Sequence, residues 1–166
     1  MLLDAYNALS AKLTTDVSEI KLIDWFNDQY SGTIHTVPAV FVEFPVPLKF
    51  KTLRGGFQTA PFIVRIHVVT KALADASKTI DPALLQIHET IVYKVYKSIH
   101  GFGASYTNEK KLFTSLNRFD LTHHQYIKGW LMTTQDFQSE IYQHEDVPTG
   151  TVDTIEIEGT PKYEFD

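Results

Sequence analysis

An α+β domain, with a mostly antiparallel twisted sheet and helices packed on one of its faces, is the expectation for this 166-residue chain. Three observations lead there. Strand-like runs fall into two groups separated by a single strongly marked helix, an order of segregated rather than alternating elements. The length sits near the mode for one domain. Hydrophobic residues make up 43% and aromatics 13%, enough apolar surface for a packed core without covalent staples. We place the domain at residues 1–143 and read 144–166 as an acidic tail.

The first element is a helix from Leu2 to Leu13. Leu2, Leu3, Tyr6, Leu9 and Leu13 form its apolar stripe, with Asp4, Asn7 and Lys12 off it. Lys21 to Phe26 reads as a short strand ended by the turn formers in Asn27 to Gly32. A helical stripe through Ile20, Ile23 and Phe26 is the alternative. Pro38 to Phe44 is a strand with Val40, Val42 and Phe44 on one face and Ala39, Phe41 and Glu43 on the other. Both faces are largely apolar, so this strand should be covered on both sides. Pro45 and Pro47 end it, since neither can donate to a ladder.

Lys49, Lys51 and Arg54 follow, then Gly55-Gly56: an exposed, positively charged connection. Gln58 to Thr70 completes the hairpin. Phe62, Val64, Ile66 and Val68 make a fully apolar face that belongs in the core. Ile63, Arg65, His67 and Val69 make a mixed face, turned to solvent or to a neighbouring subunit. Extended, this strand spans about 40 Å, more than a domain of this size needs for its own core, so part of it should project.

The strongest helix is Asp81 to His100. Asp81 is a good N-cap, Pro82 suits the first helical position, and Gly101 is a natural stop. Leu84, Ile87, Ile91, Val95 and Ile99 form its stripe, flanked by Leu85, Val92 and Tyr96. Two strands come next, Leu112 to Phe119 and Trp130 to Tyr142, joined by the polar "THHQYIKG". In the second, Leu131, Phe137 and Ile141 share a parity. After Tyr142 the chain turns acidic, and within that tail "TVDTIEIEG" has the pattern of a short edge strand.

Charge and composition exclude several function classes. The formal net charge is −5, against the basic footprint of a nucleic-acid-binding domain. Cysteine is absent, which removes disulfides, thiolate metal sites and a cysteine nucleophile. "MLLDAYNALSAKL" lacks a basic n-region and carries Asp4 in its apolar part, unlike a signal peptide. No apolar run approaches the roughly 20 residues needed to span a bilayer. A soluble protein with no cofactor is the expectation.

The search for chemistry finds no enzyme signature. His123 and His124 are adjacent, and on a strand adjacent side chains point to opposite faces, a poor chelate. His67 has no nucleophile fixed near it in sequence. His88 is followed by Glu89, but Ile91 and Val92 rule out the H-E-x-x-H zinc pattern. Gly55-Gly56 belongs to no phosphate-loop motif, and "GFGAS" at 101–105 ends a helix rather than opening one. A small hydrolase built on a His–carboxylate pair stays as an alternative, because such sites assemble in space.

The order "IDWFNDQYSG", "VPAVFVEF", "GGFQTAPFIVRIHVV", "DPALLQIHETIVYKVYKSIHG", "FTSLNRFDLTHHQYIKGWLMTTQDFQSEIY" resembles the tail terminator, or tail completion, proteins of long-tailed phages and prophages. The resemblance covers about residues 2–142. It implies copies assembled into a ring, six-fold in the best-known members, that caps the tail tube, ends its polymerisation and offers a surface to head or neck proteins. The implied partners are other copies of the chain, a tail tube protein and a head or neck connector, and the implied location is the head-proximal end of a virion tail. The family supplies no catalytic residues. Lys49, Lys51, Arg54, Phe57, Arg65 and His67 are the interface candidates. Another head–tail connector or neck completion protein is the nearest alternative.

Overall fold

The computed structural model describes residues 1–31, 34, 36–53, 57–71, 81–106, 110–127 and 129–144. It places two helices on one face of an eight-stranded sheet, the α+β arrangement expected. Helix α1, Leu2–Asp16, buries Ala5, Leu9 and Leu13, a row at i, i+4 and i+8. Leu3, assigned above to the stripe, is instead 63% exposed. It stands about 120° around the helix from Leu9, and Ala5 takes its place in the core.

Helix α2, Pro82–Ile99, begins as its sequence dictates. The Asp81 carboxylate accepts from the Ala83 N–H at 2.8 Å and Pro82 occupies the first turn. It ends at His100, whose N–H reaches the Tyr96 carbonyl, and Gly101 follows with φ +83°. His88, Ile91, Val92, Val95 and Ile99 are buried. Ile87, expected in the stripe, is 52% exposed. A row of residues four apart drifts about 40° per step around a helix, so the line through Ile99, Val95 and Ile91 has left the core face by Ile87. His88 fills that position.

The sheet runs β1 (Leu22–Trp25), β2 (Ala39–Glu43), β4 (Phe57–Lys71), β8 (Trp130–His144), β6 (Lys111–Phe113), β5 (Ala104–Ser105). Strand β3 (Lys51–Thr52) pairs with the start of β4, and β7 (Asn117–Ile127) with the first part of β8. Its spine is the antiparallel β4–β8 ladder, in register from Phe57 opposite His144 to Lys71 opposite Trp130. The short run at Lys21–Phe26 is a strand, and it pairs in parallel with β2. That one parallel pair makes the sheet mixed, and its crossover, residues 26–38, includes a 3-10 turn at Gln29–Ser31.

Strand parity divides the core as expected. Ala60, Phe62, Val64, Ile66 and Val68 of β4, with Phe137 and Ile141 of β8, pack under the two helices. On the opposite face Ala39, Phe41, Val69 and Met132 form a smaller core with Ile34, flanked by Phe26, Tyr30, Val37 and Trp130. The β1–β2 crossover therefore covers this face, which is why β2 is apolar on both sides.

The stretch expected as one strand, Leu112 to Phe119, is broken into β6 and the start of β7. Between them Leu116 turns fully into the core, its N–H on the Phe102 carbonyl and its carbonyl receiving the Gly101 N–H. Nor is "THHQYIKG" a connection: β7 continues to Ile127, which pairs with Trp130, and Gly129 just before Trp130 has φ +91°. Polar residues here belong to an edge strand, whose exposed side needs no apolar residues. Of the acidic tail expected at 144–166, His144 ends β8, and 145–166, with the edge strand expected there, lie outside the described residues.

Candidate assembly surface

The six interface candidates do not converge on one place. Lys49 and Lys51 are exposed, Lys51 on β3 opposite Thr59. Phe57 opens β4 half-buried, opposite His144. Arg54 lies outside the described residues. Arg65 and His67 stand about 30 Å further along β4, in the middle of the face away from the helices. One end of the sheet thus presents a basic tip, and mid-face residues form a separate cluster.

The cluster is built by three strands and the crossover. The register sets Glu43, Arg65 and Asp136 side by side across β2, β4 and β8, with Phe41, His67 and Thr134 as the next row. Arg65 grips Asp136 through two 2.8 Å bonds, Nε to Oδ1 and Nη2 to Oδ2, and Glu43 Oε2 is 3.7 Å from its Nη1. Asp136 is only 7% exposed. Its hydrogen bonds to the guanidinium, aided by the charge of Glu43, raise the Arg65 pKa above its already high ordinary value.

His67 is 4% exposed. Its Nε2 lies 2.9 Å from Glu43 Oε2 and its Nδ1 2.6 Å from the Tyr30 hydroxyl. Phe26 stacks on the ring at 4.3 Å, with planes 7° apart. Burial, then the Glu43 carboxylate, drive the Tyr30 phenol well above its usual pKa, so it keeps its proton and can donate to Nδ1. Nε2–H is then the donor to Glu43. Both ring nitrogens are engaged, and no ring nitrogen is left to take a substrate proton.

A second polar network seats α2 on the sheet. His88 Nδ1 meets Thr70 Oγ1 and Nε2 meets Thr133 Oγ1, both at 2.8 Å. Thr133 Oγ1 is also 3.3 Å from His123 Nδ1, which stands 3.6 Å from Glu89. Burial, and then the charge of His123, push the His88 pKa down to about 4. Beside it Gln135 donates to the Val92 carbonyl at 2.9 Å and accepts from Arg118, which stacks on Tyr96 at 3.9 Å. His124 carries no described side chain. Among the described residues no group of three or more metal-ligating side chains comes together, and no helix is long and apolar enough to cross a membrane.

Sequence reasoning singled out Arg65 and His67 but missed Tyr30, Glu43 and Asp136, their partners. The separations are 37, 24 and 71 residues, and only the strand register brings them together. Strand parity already put Glu43 opposite the core face of β2, a signal that register would have completed.

Open strand edges lie at both ends of the sheet, β3 and β5 near the basic tip and β1 and β7 level with residues 63–71 of β4. β1, β3, β5 and β7 end the pairing paths among the described residues. On β7 Phe119 and Leu121 are exposed, as is Trp25 on β1.

Neither family models nor curated protein sequences match this chain. Among solved structures it is similar to a chain described as "Virion of native gene transfer agent (GTA) particle", with a TM-score of 0.55 and 12% identity. The likeness covers 83% of this chain and 94% of that one. At this identity it shows a shared fold.

Proposed function

We propose that this chain is a structural protein of a phage-like virion and, more finely, that it forms a ring capping the tail tube, ends tube growth and provides the head or neck attachment surface. The observation that carries the coarser reading is the fold shared with a virion chain along nearly the whole of both. The order of elements from Leu2 to Tyr142, which resembles tail terminators, supports the finer one. In this reading Lys49, Lys51, Arg54 and Phe57 meet a neighbouring copy or the tube at the basic tip. Arg65 and His67, about 30 Å along β4 from that contact, hold the mid-face rigid. The open edges of β1, β3, β5 and β7 suit a closed ring of head-to-tail contacts.

The His67–Glu43 pair is the observation that favours a hydrolase instead. Against that reading, the imidazole is buried, both its nitrogens are bonded, and the nearest hydroxyl, Tyr30, holds its proton tightly. The pair therefore reads as a lock between β2, β4 and the crossover. A head–tail connector of the same fold is separated from a terminator by what it binds. Light scattering of the pure protein, and of the protein mixed with polymerised tail tube, tests the assignment. A mass near six protomers, alone or on the tube, with tube growth arrested, is the expected result. A monomer in both settings with tube length unchanged overturns it.

A further inference from the structure

One chain of hydrogen bonds runs from the core beneath α2 to the exposed edge strand β7, and the proposed assembly makes no use of it. Thr70 Oγ1 meets His88 Nδ1 at 2.8 Å, His88 Nε2 meets Thr133 Oγ1 at 2.8 Å, and Thr133 Oγ1 meets His123 Nδ1 at 3.3 Å. Thr70, His88 and Thr133 are buried, whereas His123 is exposed. Glu89 Oε1, also exposed, stands 3.6 Å from the same His123 nitrogen.

The hydrogens along this chain can be counted. Each hydroxyl carries one, and so does a neutral imidazole. The contacts from Thr70 to His123 are all filled by the hydrogens of Thr70, His88 and Thr133 only when every donation runs outward. Thr70 then donates to His88 Nδ1, His88 Nε2–H to Thr133, and Thr133 to His123 Nδ1. A charged His123 carries hydrogens on both nitrogens and can no longer accept. Its Nδ1–H donates instead, towards the Thr133 oxygen and the Glu89 carboxylate. The Thr133 hydrogen then turns to His88 Nε2, and His88 carries its own hydrogen on Nδ1, facing Thr70.

We infer that the charge on His123 selects the tautomer of buried His88, Nε2–H when His123 is neutral and Nδ1–H when it is charged, with the Thr133 hydroxyl as the link. The added proton stays on His123. Within His88 one hydrogen leaves Nε2 and one arrives at Nδ1, by exchange with water during brief opening, so the buried ring gains no charge. Burial, and then the charge of His123, put the His88 pKa at about 4, so this ring is still largely neutral at about pH 5. Among the described residues, β4 and β8 face His88 with the hydroxyls of Thr70 and Thr133, β7 with His123, and α2 adds Glu89 beyond it. The seat of α2 on the sheet thereby registers the charge at the β7 edge, a coupling that does not rest on the assembly reading.

NMR correlation of ring nitrogens with ring protons in the full chain, with its histidines isotope-labelled, reads both rings from about pH 8 to about pH 5, the range in which ordinary imidazoles change charge. His88 should reverse its major tautomer over that range, with the same midpoint as His123. In Thr133→Val, His123 should still titrate while His88 keeps one tautomer throughout. His123→Asn, which cannot take up a proton, should hold His88 in one tautomer as well. It alters an exposed residue, so it decides the matter even where Thr133→Val fails to fold. A single His88 tautomer across the whole His123 titration of the parent overturns the inference, and so does a reversal that persists in His123→Asn.

Discussion

Arg65 is the residue on which the helix-free face depends. Its fork closes on a carboxylate that is nearly buried, with Glu43 on the other side. Removing one member of such a pair strands the other, whereas replacing both with apolar side chains removes two desolvation costs together. Asp136→Ala should therefore lower unfolding free energy by about 2–4 kcal/mol, given that Arg65 is itself half-exposed. The double variant Arg65→Met, Asp136→Leu should recover most of that loss. Urea denaturation of the three chains measures it, and a double variant no more stable than Asp136→Ala would mean the pair is not the source of the cost. His67 stands beside this pair and acts through its neighbours. Tyr30→Phe removes the hydroxyl that meets Nδ1 in a buried site, and should cost about 1–3 kcal/mol in the same measurement.

At the scale of elements, α2 shows what the sequence makes legible and what it hides. Its limits, its cap and its general apolar side were readable, because they are local. Its exact seat was not. His88 lies in the core position, with Thr70 and Thr133 receiving its two nitrogens from strands 18 and 45 residues away. The same division holds in the sheet. Alternation gave the faces of β2 and β4, since parity is a property of one strand. It did not give the break at Leu116 or the length of β7, which depend on what each strand lies beside. Two predictions follow the parity and the seat. Val64→Asp should unfold the domain by circular dichroism, because an unpaired charge in the main core costs several kcal/mol. Ile63→Asp, on the half-buried opposite face, should leave it folded. For His88, the folded imidazole takes its proton near pH 4 and an unfolded one near 6.5. The unfolded chain binds more protons between those values, so the contribution is complete above pH 6.5 and is lost as pH falls towards 4, on the order of 2–3 kcal/mol. His88→Gln should be less stable than the parent at pH 7 and should lack that part of the slope when urea midpoints are compared between pH 7 and 4.

The whole molecule has a polarity that neither composition nor any single element displays. A β4–β8 ladder runs its full length. One end carries Lys51 on β3 and Lys49 just before it, and the middle is closed by the Arg65 and His67 cluster beneath the crossover. The interface candidates looked like one group in the sequence because they are close along the chain. The extended strand separates them, and of the described candidates Lys49 and Lys51 at the tip are exposed while His67 is buried in the mid-face. Assembly in the proposed ring should therefore depend on the tip and tolerate changes that keep the mid-face intact. Lys49→Glu with Lys51→Glu alters exposed side chains on and just before a two-residue edge strand, so the melting temperature should move by no more than a few degrees. Binding to neighbouring copies or to the tube should fall at least tenfold, about 1.4 kcal/mol, and the parent's binding should weaken as salt rises while the variant's residual binding changes little. Sedimentation across a salt series reads both. If the reversed chain assembles as the parent does at every ionic strength, the basic tip is a soluble edge with no role in assembly, and the contact must be sought along β7 or β1.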